Sequence, residues 1–170
     1  AADLRASTIH PPTLDILKRL GVVDELIELG LICPFWQFRD RKSGVVATFD
    51  MKYLEGETDH PYRLQCEQWK LTKALRRLVD AHPDGTLITD FVAKIVDQNE
   101  EGVTVTGVRP DGSREEHSGR YLIGSDGAKS IVRKSIGTDF EGLTIPEIYL
   151  TMSTHFPFQD SIEDLENIAY

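Results

Sequence analysis

The chain has 170 residues, of which 40% are hydrophobic and 28% charged, as expected for a globular protein that can bury one sizeable core. Its formal net charge is −9, and no basic stripe offsets it, which argues against nucleic acid or an anionic membrane as a partner. Cys33 and Cys66 are isolated, so neither a disulfide framework nor a zinc site is predicted, and without a signal peptide or a long apolar run a cytoplasmic location is expected.

Two short helices are predicted near the start of the chain. The first ten residues show neither a strand pattern nor a helix start signal. A proline pair then leads into an amphipathic segment over 13–21 that ends at glycine. A second helix over 23–29 ends at Gly30.

A hairpin is predicted over 35–51, because residue polarity alternates with a period of two on both sides of Ser43-Gly44. Residues 52–61 are polar and rich in turn formers. Trp36 and Phe38 alternate on the first strand. Aromatic residues in this pattern either line an aromatic pocket or form the core face of the sheet, and the sequence leaves both alternatives open.

The strongest helix signal covers 67–81, where leucines and alanine form one stripe with basic residues mostly outside it. Strands are then predicted over 86–97, 102–109 and 113–123, as an antiparallel meander with a hairpin turn at Asp111-Gly112. Three further polar residues lie across the helix end and the next turn, namely Asp80, His82 and Asp84. They lack a recognisable ligand spacing, so no metal site is predicted.

A second Asp-Gly pair, Asp126-Gly127, has a different context. It follows an apolar run over 121–123, which predicts a buried strand, and it precedes a short helix that ends at Gly137. Such turns lie at the carboxyl ends of strands, where α/β sheets bind ligands. Asp126 is therefore a candidate acceptor for a ribose hydroxyl, and the glycines on either side of it allow the backbone to approach a phosphate.

These residues carry a family resemblance. The segment Gly124-Ser-Asp-Gly-Ala-Lys-Ser-Ile-Val-Arg133, followed by Phe140-Glu-Gly142, resembles the second flavin motif of the FAD-dependent aromatic hydroxylases, typified by para-hydroxybenzoate hydroxylase and phenol hydroxylase. The family pattern is roughly Gly-Ala-Asp-Gly, two variable residues, Ser, one variable residue and Val-Arg, with a later aromatic-x-Gly. Only Ser125 departs from it, because alanine is usual there.

The resemblance implies a set of cofactor-binding residues: Arg5, Gln68, Asp126, Gly127, Ser130 and Arg133. Arg5 matches a family arginine that lies close to the flavin pyrophosphate, and its alternative is a solvated arginine near the terminus. Gln68 falls where the family places a glutamine that touches the flavin, near the positive end of a helix. The neighbouring Gln65 is a rival for that role.

The function implied by the resemblance is hydroxylation of an aromatic, phenolic substrate by a flavoprotein monooxygenase that uses FAD, dioxygen and NAD(P)H. The cofactor carries the chemistry in that family, so no catalytic acid or base is predicted. The expected partner is a small aromatic substrate, without nucleic acid or membrane, and a homo-oligomer stays open. Alternatives are another flavoprotein of the superfamily, either a halogenase or a reductase, and a non-catalytic fragment.

The expected fold class is α/β (α+β): an incomplete Rossmann-like FAD-binding domain with an antiparallel meander, plus part of a β-sheet substrate domain. Residues 1–33 and 62–145 are assigned to the former, and residues 34–61 and 146–170 to the latter. A strand over 146–156 is expected to return into the substrate sheet. The sequence contains no Gly-x-Gly-x-x-Gly loop, so the resemblance implies a fragment that covers roughly the second and third quarters of a larger flavoprotein.

Overall fold

The structure is a computed structural model that describes residues 7–170. Within that range the α-helices are α1 (Pro11–Arg19), α2 (Val23–Leu29), α3 (Gln68–Ala81), α4 (Ile131–Ser135) and α5 (Phe158–Ser161). The strands are β1 (Thr8–Ile9), β2 (Leu31–Cys33), β3 (Phe35–Asp40), β4 (Gly44–Asp50), β5 (Arg63–Gln65), β6 (Val92–Asn99), β7 (Gly102–Val108) and β8 (Arg114–Gly119). No helix among these described residues is long and apolar enough to cross a membrane.

The described chain forms two compact units. The first contains residues 7–87 and 152–170, and the second contains residues 88–151. The hairpin β3–β4 and helix α3 belong to the first unit, whereas the Asp126-Gly127 turn belongs to the second. These units differ from the predicted FAD-binding and substrate domains, and that functional division stays a prediction.

Helices α1 and α2 confirm the first two predicted helices, and α3 confirms the third. Helix α1 begins at Pro11, where a missing N–H costs nothing, and the chain turns after it at Gly21, whose φ is +71°. The three helices pack with the small antiparallel sheet β1-β5-β2. Leu14, Leu26 and Leu64 are completely buried in this core.

The hairpin β3–β4 confirms the predicted pair of strands, with Trp36 opposite Phe49. Residues 168–170 pair with the free edge of β3. The N–H of Gln37 donates to the carbonyl of Ile168 at 2.9 Å, and the carbonyl of Gln37 accepts from the N–H of Tyr170 at 2.9 Å. The buried amide side chain of Gln37 also donates to the carbonyl of Asp164 at 2.9 Å. This side chain therefore fixes residues 164–170 against β3.

A second polar contact of the first unit holds the loop before β5 on helix α1. The His60 ring nitrogen Nδ1 lies 2.7 Å from one carboxylate oxygen of Asp15, and the Thr58 hydroxyl donates to the other at 2.8 Å. The hydrogen bond from His60, followed by that from Thr58, lowers the pKa of Asp15. His60 itself is buried, so its contact with Asp15 satisfies a polar group that would otherwise lie unpaired in the interior.

The second unit is built on the predicted meander, β6-β7-β8, with all neighbours antiparallel. Helix α4 lies against β6. Phe91 covers Gly107 of the middle strand so closely that a Cβ at Gly107 would lie 2.3 Å from the Phe91 ring. A glycine in this strand interior therefore marks a close approach by a side chain.

Two predicted strands are absent from the described residues. Residues 121–123 form no strand, and Tyr121 and Ile123 are 79% and 88% exposed. Residues 146–156 also form no strand, and Ile148 is 99% exposed. Both predictions rested on apolar patterns that need a neighbouring strand, and no described residues pair with either segment. A strand over 146–156 was expected to return into the substrate sheet. Residues 164–170 make the backbone hydrogen bonds to the edge of β3 instead.

Candidate functional site

The Asp126-Gly127 turn is the start of helix α4. Gly127 has φ of +75°, a conformation in which an L side chain is strained. The Ser130 hydroxyl caps the helix by accepting a hydrogen bond from the N–H of Arg133 at 2.9 Å. The same hydroxyl donates to Asp126 Oδ1 at 2.5 Å. Ser130 is buried, so this pair of contacts fixes its side chain.

Asp126 binds the first turn of α4 with its other carboxylate oxygen. Oδ2 accepts from the N–H of Ile131 at 2.7 Å and from that of Val132 at 3.3 Å. The hydrogen bond from Ser130 lowers the pKa of Asp126 most, the two backbone amides lower it further, and desolvation opposes them. Asp126 is exposed. A carboxylate has about four acceptor positions, so these three contacts leave it able to accept a ligand hydroxyl.

Arg133, on helix α4, contacts the same turn with its side chain. Its terminal nitrogen Nη1 donates to the carbonyl of Ala128 at 3.1 Å, and its guanidinium lies 4.8 Å from the centre of the Phe140 ring. Its Nε is buried and has no hydrogen-bond partner among the described residues. Such an unpaired N–H costs free energy, and an anionic ligand group would satisfy it.

Beside this turn lies a cavity of about 670 Å³, lined on one side by Gly124, Ser130, Val132 and Arg133 and on the other by strand ends of the meander. Four predicted site residues lie together in the second unit, namely Asp126, Gly127, Ser130 and Arg133. Ser130 and Arg133 line the cavity, whereas Asp126 and Gly127 lie in the turn beside it. They fit part of an FAD, since they combine an exposed acceptor for hydroxyls with an unpaired guanidinium N–H. The phosphate loop that would complete the match has no counterpart in the sequence.

The structure separates the two rival glutamines. Gln65 lies in β5, and its amide exchanges hydrogen bonds with the Thr8 hydroxyl at 3.0 and 3.2 Å. Gln68 is the first residue of α3, its side chain is exposed, and it makes no side-chain hydrogen bond to the described residues. Gln68 is therefore the glutamine with an available amide. Arg5, the remaining predicted site residue, lies outside the described residues.

The first unit carries an aromatic cluster that the sequence indicated only in part. We define the aromatic face as Trp36, Phe38, Phe49 and Tyr170. Trp36 stacks on Phe49 with centroids 4.1 Å apart and an interplanar angle of 9°. Phe38 is 47% exposed and Tyr170 is 63% exposed, so the aromatic face is not part of the buried core. The core interpretation is therefore wrong for Phe38, whereas Trp36 is half-buried.

Arg63 lies at the border of the aromatic face. Its guanidinium carbon is 4.8 Å from the centre of the Trp36 ring, and Nη1 donates to the Tyr170 hydroxyl at 3.0 Å. Sequence reasoning missed this residue, because the neighbours that surround it come from 27 residues before it and 107 after it. The alternation of Trp36 and Phe38 on β3 was the one local signal of the face. Within residues 7–170, no group of three potential metal ligands is assembled.

Comparison with known proteins identifies the family. Residues 1–169 match the model of a family described as "FAD binding domain". The chain belongs to this FAD-binding family. The fold class and the resemblance predicted from the flavin motif are confirmed.

Relatives of this family member include flavoprotein and aromatic-compound monooxygenases. The chain is 33% identical over 159 residues to the 6-hydroxy-3-succinoylpyridine 3-monooxygenase HspB of Pseudomonas putida, with 91% of this chain and 39% of that protein covered. It is 27% identical over 154 residues to the para-nitrophenol 4-monooxygenase of a Pseudomonas species, with 91% and 38% covered. The crystal structure of p-nitrophenol 4-monooxygenase PnpA from Pseudomonas putida matches with a TM-score of 0.78 and 27% identity, over 85% of this chain and 36% of that one. The chain thus spans less than two fifths of the length of these relatives.

Proposed function

We propose that the protein to which this sequence belongs is an FAD-dependent monooxygenase that hydroxylates a small aromatic, phenolic substrate with dioxygen and NAD(P)H. The observation that carries the proposal is the Asp126 turn, an exposed carboxylate at the start of a helix in a member of an FAD-binding family. Names of relatives, such as para-nitrophenol 4-monooxygenase and pentachlorophenol 4-monooxygenase, support the aromatic substrate. A cytoplasmic location and assembly as a homo-oligomer belong to the same proposal.

Bound FAD would supply the redox chemistry, and the residues of this chain would bind and orient it. Asp126 would accept a hydrogen bond from a cofactor hydroxyl, and its lowered pKa keeps it ionised for that task at neutral pH. The Arg133 guanidinium would pair its buried Nε with an anionic oxygen. Gly127 would bring backbone close to the ligand without a side chain, while Gln68 and Arg5 would add contacts from other segments. In this proposal residues 1–33 and 62–145 form part of the FAD-binding domain, and residues 34–61 and 146–170 form part of the substrate-binding domain.

The chain offers a matched pair of aspartates for the test. Asp111 also precedes a glycine, and its Oδ1 accepts from the Ser113 hydroxyl at 2.6 Å and from the Ser113 N–H at 2.9 Å. Asp126→Ala and Asp111→Ala therefore remove similar local hydrogen bonds. Only Asp126 precedes a helix beside the candidate cofactor cavity.

The protein expressed from its complete gene should be yellow and should release flavin on denaturation. Asp126→Ala should weaken FAD binding by about tenfold to a hundredfold, the effect of a lost hydrogen bond to a charged group. Asp111→Ala should leave FAD binding unchanged. Equal effects of the two substitutions, or a colourless protein that takes up no added FAD, would refute the proposal.

A further inference from the structure

The aromatic face and Arg63 place two different binding properties side by side. The face exposes large aromatic rings, since Phe38, Phe49 and Tyr170 are 47%, 43% and 63% exposed. Arg63 places a cation beside those rings, 4.8 Å from the centre of Trp36 and 5.9 Å from that of Tyr170. Aromatic rings and a guanidinium held side by side present one apolar and one cationic surface to the same ligand.

Arg63 forms no ion pair with a carboxylate of residues 7–170, although the chain carries 28 acidic residues against 19 basic ones. By contrast, Arg77 and Arg109 pair with Glu25 and Glu115. Of the nitrogens of Arg63, Nη1 donates to the Tyr170 hydroxyl, and Nε is buried without a partner among the described residues. Nη2 makes no hydrogen bond to those residues either. Within residues 7–170 its charge is thus held in place by neutral groups, and no described carboxylate occupies it.

We propose that the aromatic face and Arg63 form the binding site for a planar aromatic anion, a phenolate or an aryl carboxylate. The ligand ring packs on the exposed rings of Phe38 and Tyr170, and its anionic oxygen accepts a hydrogen bond from the Arg63 guanidinium. A guanidinium that stacks on a ring and still has free N–H groups suits this ligand better than an ammonium would. The inference rests on the proposed function, because it assigns Arg63 as the residue that selects an ionised substrate.

Charge and shape favour an aromatic anion over other ligands of the aromatic face and Arg63. A second copy of the chain, with its net charge of −9, brings overall repulsion. A neutral aromatic ring would gain from the exposed rings but would leave Arg63 unpaired. An anion attached to a planar ring uses both surfaces, and the face is built by side chains of two strands and Tyr170.

The test measures binding of para-nitrophenolate to the 170-residue chain by quenching of Trp36 fluorescence, at a pH where this probe is ionised. Trp69→Phe, on helix α3, removes the only other tryptophan. The matched neutral probe is para-nitroanisole, which has the same ring and nitro group without the charge. We expect the anion to bind about tenfold or more tightly than the ether.

Arg63→Met should abolish that preference while leaving the affinity for the ether nearly unchanged. Arg41→Met, in the β3–β4 turn of the same hairpin, should leave both affinities unchanged. Arg63→Lys keeps the charge without the planar fork, so it should retain a reduced preference, which covers the case in which the methionine variant fails to fold. Tyr170→Phe should weaken anion binding severalfold, because it removes the hydroxyl that orients Nη1.

Equal affinity of the unsubstituted chain for the two probes would overturn the inference, and so would an Arg63→Met variant that keeps its preference. Quenching that disappears on dilution, with dimers seen by sedimentation, would assign the face to a second copy instead. None of these measurements needs flavin. Anion binding without FAD uptake by the complete protein would refute the proposed function alone, and FAD uptake without anion preference would refute this inference alone.

Discussion

At Gly124 the chain that precedes helix α4 passes close to Val132 of that helix. A Cβ built on Gly124 would lie 2.7 Å from the Cβ of Val132 and 2.8 Å from its Cγ1. The φ of Gly124 is outside the left-handed region, so the backbone itself would accept alanine. The Cβ of Val132 is fixed to the helix backbone, and valine is stiff at χ1. Gly124→Ala therefore forces α4 away from its place.

The expected cost is that of overpacking, about 1–3 kcal/mol. Val132→Ala removes two of the three closest atoms but keeps the Cβ, so it should relieve part of the clash. In the double variant we expect a favourable coupling of about 1 kcal/mol between the two substitutions, as found for residues in direct contact. Because Ser130 and Asp126 both bind α4, the same displacement should weaken FAD binding in the complete protein.

Hydrogen exchange measured by mass spectrometry checks this prediction on peptides that cover 124–137. Protection of the α4 amides should fall about fivefold to a hundredfold in Gly124→Ala, and part of it should return in the double variant. Both tryptophans, Trp36 and Trp69, lie in the first unit, so their fluorescence reports on a region that the substitution should leave unchanged. Unchanged exchange in Gly124→Ala, or strictly additive effects of the two substitutions, would refute the packing argument.

Two further predictions concern polar contacts. Gln37→Ala should speed hydrogen exchange of residues 164–170 by about tenfold, because it removes side-chain bonds to the carbonyl of Asp164 and the N–H of Glu166. Thr48→Val, which loses only a 3.5 Å contact to Gln37, is the control, and equal effects would contradict the role of Gln37. The pKa of Asp126 is lowered on folding, so its stabilisation of α4 is present above its ordinary value of 3.8 and is lost as the pH falls below that value. The difference in α4 exchange between Asp126→Ala and the unsubstituted chain should therefore disappear in acid, and a difference that persists there would contradict the assignment.

Helices and hairpins were predictable because their signals are local. The stripe over 67–81 and the glycines after α1 and α2 located these helices nearly to the residue. The turn at Asp111-Gly112 located the β7–β8 hairpin in the same way. In each case the hydrogen-bonded partners belong to one short continuous segment, with Val103 and Gly119 the most distant pair of the hairpin. A local sequence pattern therefore indicates the element that forms.

The features that the sequence did not predict all depend on contacts between segments that lie far apart in the chain. Strands β1, β2 and β5 have two or three residues each, too few for a period, and they exist because they pair with one another across the unit. The segment 121–123 is apolar but has no strand beside it among the described residues, so its pattern did not become a strand. Gln37 bonds residues 127 positions away, and no local pattern indicates that contact. Sequence reasoning likewise could not place Arg63 beside Trp36.

The two Asp-Gly pairs have the same dipeptide and similar local hydrogen bonds but enter different elements. Each carboxylate accepts a short hydrogen bond from a serine hydroxyl, 2.5 Å from Ser130 and 2.6 Å from Ser113, and in both cases that bond lowers the aspartate pKa most. Local chemistry therefore does not distinguish a cofactor ligand from a turn former. The distinction comes from the element that the chain enters after each turn, helix α4 in one case and strand β8 in the other. A helix start presents N–H groups that lack partners within the helix, and those of Ile131 and Val132 donate to Asp126. A hairpin instead pairs most of its N–H groups with the facing strand. A difference in FAD affinity between the two alanine variants would thus measure the effect of the surrounding fold, with the dipeptide held constant.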